Sequence, residues 1–99
     1  MKIERKKNKD TSTFIFEGEL TIYNVSQAKL DIFTDHEKLP NQIALDLHQI
    51  TEIDTAGVQL LLFAKKYFSS ANKSLFISKS NESVEAVLTS LNVNTQFAR

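Results

Sequence analysis

Residues 43–64, "IALDLHQITEIDTAGVQLLLFA", hold two hydrophobic periods joined by only a few residues. Ile43, Leu45 and Leu47 alternate with Ala44, Asp46 and His48, the period of a strand with one mainly covered face. From Thr55 the chain reads as a helix of about four turns, apolar nearly all round from Leu60 to Ala64. A strand that passes so directly into a deeply packed helix confines the chain to α/β layers, in which helices fold back over a sheet.

The flanking segments extend that pattern. "TSTFIFEGEL" alternates as a strand, with Phe14 and Phe16 on one side and Thr13, Ile15 and Glu17 on the other. "MKIERK" is expected to pair with it across the polar turn "NKDTS". "NVSQAKLDIFTDHEKLP" reads as a helix with the stripe Val25, Ala28, Ile32 and Phe33, capped by Asn24 with Gln27 three residues on and stopped by Pro40. "SLFIS" is a short strand, and "SNESVEAVLTSLNV" a helix capped by Ser80 or Asn81, with Val84, Val87, Leu88 and Leu91 on one face. The predicted order is β-β-α-β-α-β-α. It forms one domain over residues 1–99, a mixed, mostly four-stranded sheet with helices mainly on one face. Gly18, Gly57 and Pro40 are the only glycines and proline, so each is expected to punctuate the fold.

Composition narrows the function. Twelve basic and twelve acidic residues give no net charge, which argues against general nucleic-acid binding. The absence of cysteine excludes disulfides, thiolate metal sites and a Cys nucleophile. The start "MKIERKKNKD" has no apolar core of a signal peptide, and the run Leu60–Ala64 is too short to span a bilayer. A cytoplasmic protein without membrane insertion is expected. Lys2, Arg5, Lys6, Lys7 and Lys9 crowd the first ten residues, read either as an arm for an acidic partner or, preferably, as a solvated edge strand protected by charge. Exposed Phe68 or Phe97 would supply a dimer contact.

Enzymatic signatures are lacking. His36 and His48 have no partner at metal-ligand spacing, no phosphate loop or nucleophile elbow occurs, and an Asp46–Asp54 pair would lack a cleft. No catalytic residue, cofactor or metal is therefore expected. "DTAG" is the informative stretch. Asp54 or Thr55 stands at the N-cap, and Ala56 and Gly57 permit close packing there. That reading is complete in itself. The same arrangement suits phosphorylation, because a hydroxyl at a helix start is exposed and the helix N-terminus favours a phosphate. A different use of the region is a shallow nucleotide or small-ligand site lined by Thr21, Tyr23, Asn24 and Thr55.

"FEGELT", then a helix, then "IALDLHQITEIDTAGVQLLLFAKK" resembles the STAS domain, shared by sulfate transporters and anti-sigma factor antagonists, over nearly the whole chain. The resemblance implies a four-stranded mixed sheet and a bacterial protein-binding module. In that family an anti-sigma factor that is also a serine/threonine kinase phosphorylates the residue after the motif's Asp, and a phosphatase reverses it. Here that residue is Thr55. Asp54 and Gly57 match the motif, and Gly18, Glu19 and Leu20 match the loop beside it. The expected docking surface comprises Asp54, Thr55, Ala56, Gly57 and Gln59 with Gly18, Leu20, Thr21 and Tyr23. Two departures stand out: "DTAG" replaces the frequent "DSSG", and "GELT" places Thr21 where the family often has Asp. "DTAG" also resembles the small STAS subunit of a lipid-transport ABC system, which implies an ABC ATPase as the alternative partner.

Overall fold

The computed structural model of the chain describes residues 1–98. Its single sheet contains β1 (Lys2–Lys7), β2 (Thr11–Leu20), β3 (Gln42–Ile53) and β4 (Ser74–Lys79), in that spatial order. β1 and β2 are antiparallel; β2, β3 and β4 run parallel. The helices are α1 (Val25–Phe33), α2 (Thr55–Ser70) and α3 (Glu82–Ser90). The order β-β-α-β-α-β-α and the mixed four-stranded sheet are as the sequence predicts.

One hydrophobic cluster joins the sheet to all three helices. It unites Phe14, Phe16 and Leu20 of β2 with Ile43, Leu45, Leu47, Ile50 and Ile53 of β3. Ala28 and Ile32 of α1, Leu61, Ala64 and Phe68 of α2, and Val84 and Leu88 of α3 close it from the helix side. Each such fully buried large apolar side chain contributes roughly 1.5–3 kcal/mol. The buried β3 positions 43, 45, 47, 50 and 53 do not keep a period of two. Register shifts against β2, between the pairs Ile15–Asp46 and Glu17–Gln49 and again between Gly18–Ile50 and Glu19–Glu52, each insert one residue into β3. The bulges return Ile50 and Ile53 to the face of Leu47, and they carry the strand on to the residue before Asp54.

The structure corrects several expectations. α1 ends at Phe33, and a separate 3-10 turn covers His36–Lys38 after Asp35, which has φ of 53°. The break falls at Thr34, which is extended, and at left-handed Asp35, and Arg5 binds the carbonyls left open there. Its Nη2 donates to the carbonyls of Thr34 (2.9 Å) and Asp31 (3.1 Å), while its guanidinium lies 4.9 Å from the Phe14 ring centre. The cation thus satisfies open carbonyls at the negative end of α1. Asn24 occupies the N-cap position of α1 but makes no capping bond; Gln27 instead donates to Asp31. Phe68 and Phe97 are 0% and 1% exposed, so neither offers a dimer contact. The tail docks as far as Phe97, which closes the core within a 3-10 turn; Arg99 lies outside the described residues. Phe63 is 46% exposed despite the apolar run around it, and Leu91 leaves the α3 stripe for the surface.

Candidate functional site

β3 ends at Ile53, and the next residue, Asp54, caps α2. The backbone N–H of Gly57 donates to Asp54 Oδ1 at 2.9 Å, and that of Ile22 donates to Oδ2 at 2.9 Å. One carboxylate thereby ties the start of α2 to the turn after β2. The Gly57 bond foremost, opposed by burial and then supported by the Ile22 bond, holds the carboxyl below its usual range. The Asp54 amide completes the tie by donating to Leu20 O at 3.4 Å.

Gly57 sits where only glycine fits. A Cβ there would lie 2.2 Å from Leu20 O and 3.0 Å from Ile53. The absent side chain lets α2 begin directly against the end of β2. Gly18 has a different reason: its φ of 106° falls where side chains are strained. The facing turn is fixed from within. Thr21 N (2.9 Å) and Thr21 Oγ1 (3.1 Å) both donate to Asn24 Oδ1, and Asn24 N and Val25 N donate back to Thr21 O. Asn24 therefore braces the turn and leaves the α1 cap unmade.

This framework presents Thr55 as the exposed first residue of α2. Gln59 is exposed one turn further on, and Tyr23, on the facing turn, is 93% exposed. Asp54, Ala56 and Gly18 are half-buried. Leu20, Thr21 and Gly57 are buried, so they support the surface from beneath and present no side chain to a partner, a correction to the expected contact set. Glu19 and Glu52 pair in register and are both exposed, making this end of the sheet acidic.

The other arrangements weighed from the sequence are not assembled. Asp46 accepts from His48 N at 3.1 Å, whereas Asp54 serves Gly57 and Ile22, so the two carboxylates act at separate backbone positions. The Thr21 hydroxyl is turned to Asn24, which leaves Tyr23 and Thr55 as the exposed members of the expected small-ligand set. Among the described residues no group of three or more His, Asp or Glu side chains is placed to hold a metal, and no helix is long and apolar enough to cross a membrane.

One supporting residue escaped sequence reasoning, and a second was expected only as a helix cap. Ile22 is exposed while its amide holds Asp54, a backbone role that no side-chain pattern reveals. Asn81 caps α3 by accepting from Val84 N at 2.9 Å, and its Nδ2 donates to His48 O (3.0 Å) and Ile50 O (2.9 Å). It thereby satisfies carbonyls exposed at the β3 bulges, which set the path of the strand to Asp54.

A four-stranded mixed sheet whose third strand delivers a capped Asp-Thr pair to the head of a buried helix defines a known class. The STAS domain family matches residues 2–98, and the chain belongs to it. The fold is similar to that of the Thermotoga maritima protein TM1081, to which an anti-sigma factor antagonist role is ascribed (TM-score 0.85, 26% identity, covering 97% of this chain and 83% of that one). It is also similar to the anti-sigma factor antagonist SpoIIAA in its unphosphorylated form (TM-score 0.80, 16% identity, 99% and 86% covered). The phosphorylated form of Bacillus SpoIIAA gives a TM-score of 0.74 at 15% identity, with 99% and 89% covered. At those two identities the likeness to SpoIIAA is one of fold. No curated protein sequence is significantly similar to the chain.

Proposed function

We propose that this STAS domain is a non-enzymatic protein-binding module of the anti-sigma factor antagonist type, switched by phosphorylation of Thr55. The observation that carries the reading is the exposed Thr55 hydroxyl at the first position of α2, beside an Asp54 whose carboxylate is already committed to two backbone amides. Fixed in this way, Asp54 holds the helix start still whether or not Thr55 is modified. A phosphate adds roughly 1.5 to 2 negative charges. The helix N-terminus tolerates that charge, so the fold survives while the docking surface becomes more negative. Asp54, Glu19 and Glu52 already make the surroundings acidic, and burying the added charge against a partner's apolar groups opposes docking.

The partner in this reading is a serine/threonine kinase acting as anti-sigma factor, with a phosphatase resetting Thr55. An ABC ATPase held in a stable complex, with no phosphate cycle, is the competing partner. Phosphopeptide mapping of the protein isolated from its native cells tests the switch. The proposal expects a phosphorylated fraction at Thr55 that varies with growth condition. Thr55 unmodified in every condition, in cells where the protein is abundant, refutes it.

A further inference from the structure

We infer a second binding surface, a groove between α1 and α2 that takes an amphipathic helix with acidic flanks from a partner protein. Leu30, Phe33, Phe63 and Tyr67 line a cleft of about 680 Å3, with Lys29 and His36 at its edge. A second cleft of about 460 Å3 lies on the other side of Phe63 and Tyr67 and is bordered by Lys66. Leu30 is 65% exposed and Phe63 46%, a large apolar surface for a chain with ordinary composition.

The aromatic ridge is held rigidly. Phe33 stacks on the buried Phe68 at 5.4 Å between ring centres and meets Phe63 (5.6 Å) and Tyr67 (5.1 Å) edge-on. His36 adds a second brace. Its Nδ1 lies 2.8 Å from Phe33 O, an atom that only accepts, so Nδ1 donates there and Nε2 accepts from the Tyr67 hydroxyl at 2.6 Å. A ridge fixed before binding loses little entropy when a partner docks.

Two features choose the occupant. Clefts on both sides of one ridge match two apolar side chains on successive turns of a helix, whereas a single acyl chain fills one cleft. Charge then sets the sign of the flanks. Neither cleft is lined by an acidic residue, although acidic and basic residues are equal in number over the whole chain. Lys29 holds its ammonium 4.8 Å from the Phe63 ring centre, at the rim. Asp31 accepts from Gln27 and Glu37 lies 3.6 Å from His36, and neither acid lines a cleft. The groove lies further along α2 than Thr55 and is independent of the phosphate switch.

The test uses isotope-labelled full-length chain and nuclear magnetic resonance. It is titrated with a synthetic helix of about four turns bearing leucines on one face and glutamates on the flanks. The same peptide with lysines for glutamates and dodecanoate serve as comparisons. The proposal expects the acidic helix to shift the amides of Lys29, Leu30, Phe63 and Tyr67 and to bind at least about tenfold more tightly than the basic one. Leu30→Glu, at an exposed position, weakens it by about tenfold or more while the spectrum of β3 and α3 is unchanged. Equal binding of the two peptides, shifts confined to other surfaces, or no shift at all overturns the proposal. Shifts at these amides with dodecanoate and none with the acidic helix overturn it in favour of a lipid site.

Discussion

At the scale of single residues, Asp54 and Gly57 carry the site's geometry. Gly57→Ala places a methyl group 2.2 Å from Leu20 O, a backbone atom that moves only if β2 or α2 shifts. The substitution should cost roughly 1–3 kcal/mol, measured by urea denaturation, and a variant as stable as wild type would show that α2 is not locked to β2. Asp54 predicts a pH dependence. Because bonds from Gly57 and Ile22 lower its folded-state pKa, its contribution is fully present above the unfolded value near 3.8 and is lost as pH falls through the lower folded value. Asp54→Asn should therefore flatten the loss of stability in that acid range relative to wild type. The Asp-Thr-Ala-Gly signal was legible in the sequence because capping and close packing demand particular residue types. The burial of Leu20 and Thr21 was not, because it depends on how the β2–α1 turn folds under α2.

At the scale of elements, two long-range hydrogen-bonding side chains place the helices and strands. Asn81→Ala removes the α3 cap and abandons carbonyls at the β3 bulges, and should cost about 1–3 kcal/mol by the same denaturation measurement. Asn81→Asp keeps the cap oxygen but loses the donor, so it should recover only part of that loss. Arg5→Ala should fray the end of α1, seen as faster amide exchange near Leu30–Thr34, with the exchange of α3 unchanged. Element order and type were readable from periodicity alone. Boundaries were misread where the backbone departs from its period: α1 stops at extended Thr34 and left-handed Asp35, with Arg5 of β1 binding its open carbonyls, and two bulges break the alternation that would have placed Gln49 and Thr51 inward.

At the scale of the whole molecule, the helix-covered face and the head of α2 divide the labour. The cluster from Phe14 to Phe97 supplies a rigid base, and the exposed groups at Tyr23, Thr55 and Gln59 stand on it without taking part in it. In the proposed switch, a covalent change at Thr55 would alter binding without unfolding the domain, which is what reversibility requires. A coupling of about 1–3 kcal/mol between phosphate and partner would change affinity roughly five- to 150-fold. Thr55→Ala should retain the unmodified surface and escape regulation, and Thr55→Glu should imitate part of the added charge.

The most direct measurement is affinity capture from the native lysate with wild type, Thr55→Ala and Thr55→Glu, quantified by mass spectrometry. The account predicts a kinase, phosphatase or sigma regulator bound by wild type and Thr55→Ala and depleted with Thr55→Glu. Identical partners on all three proteins would contradict the switch, and a stoichiometric ABC ATPase among them would make Thr55 a contact residue instead.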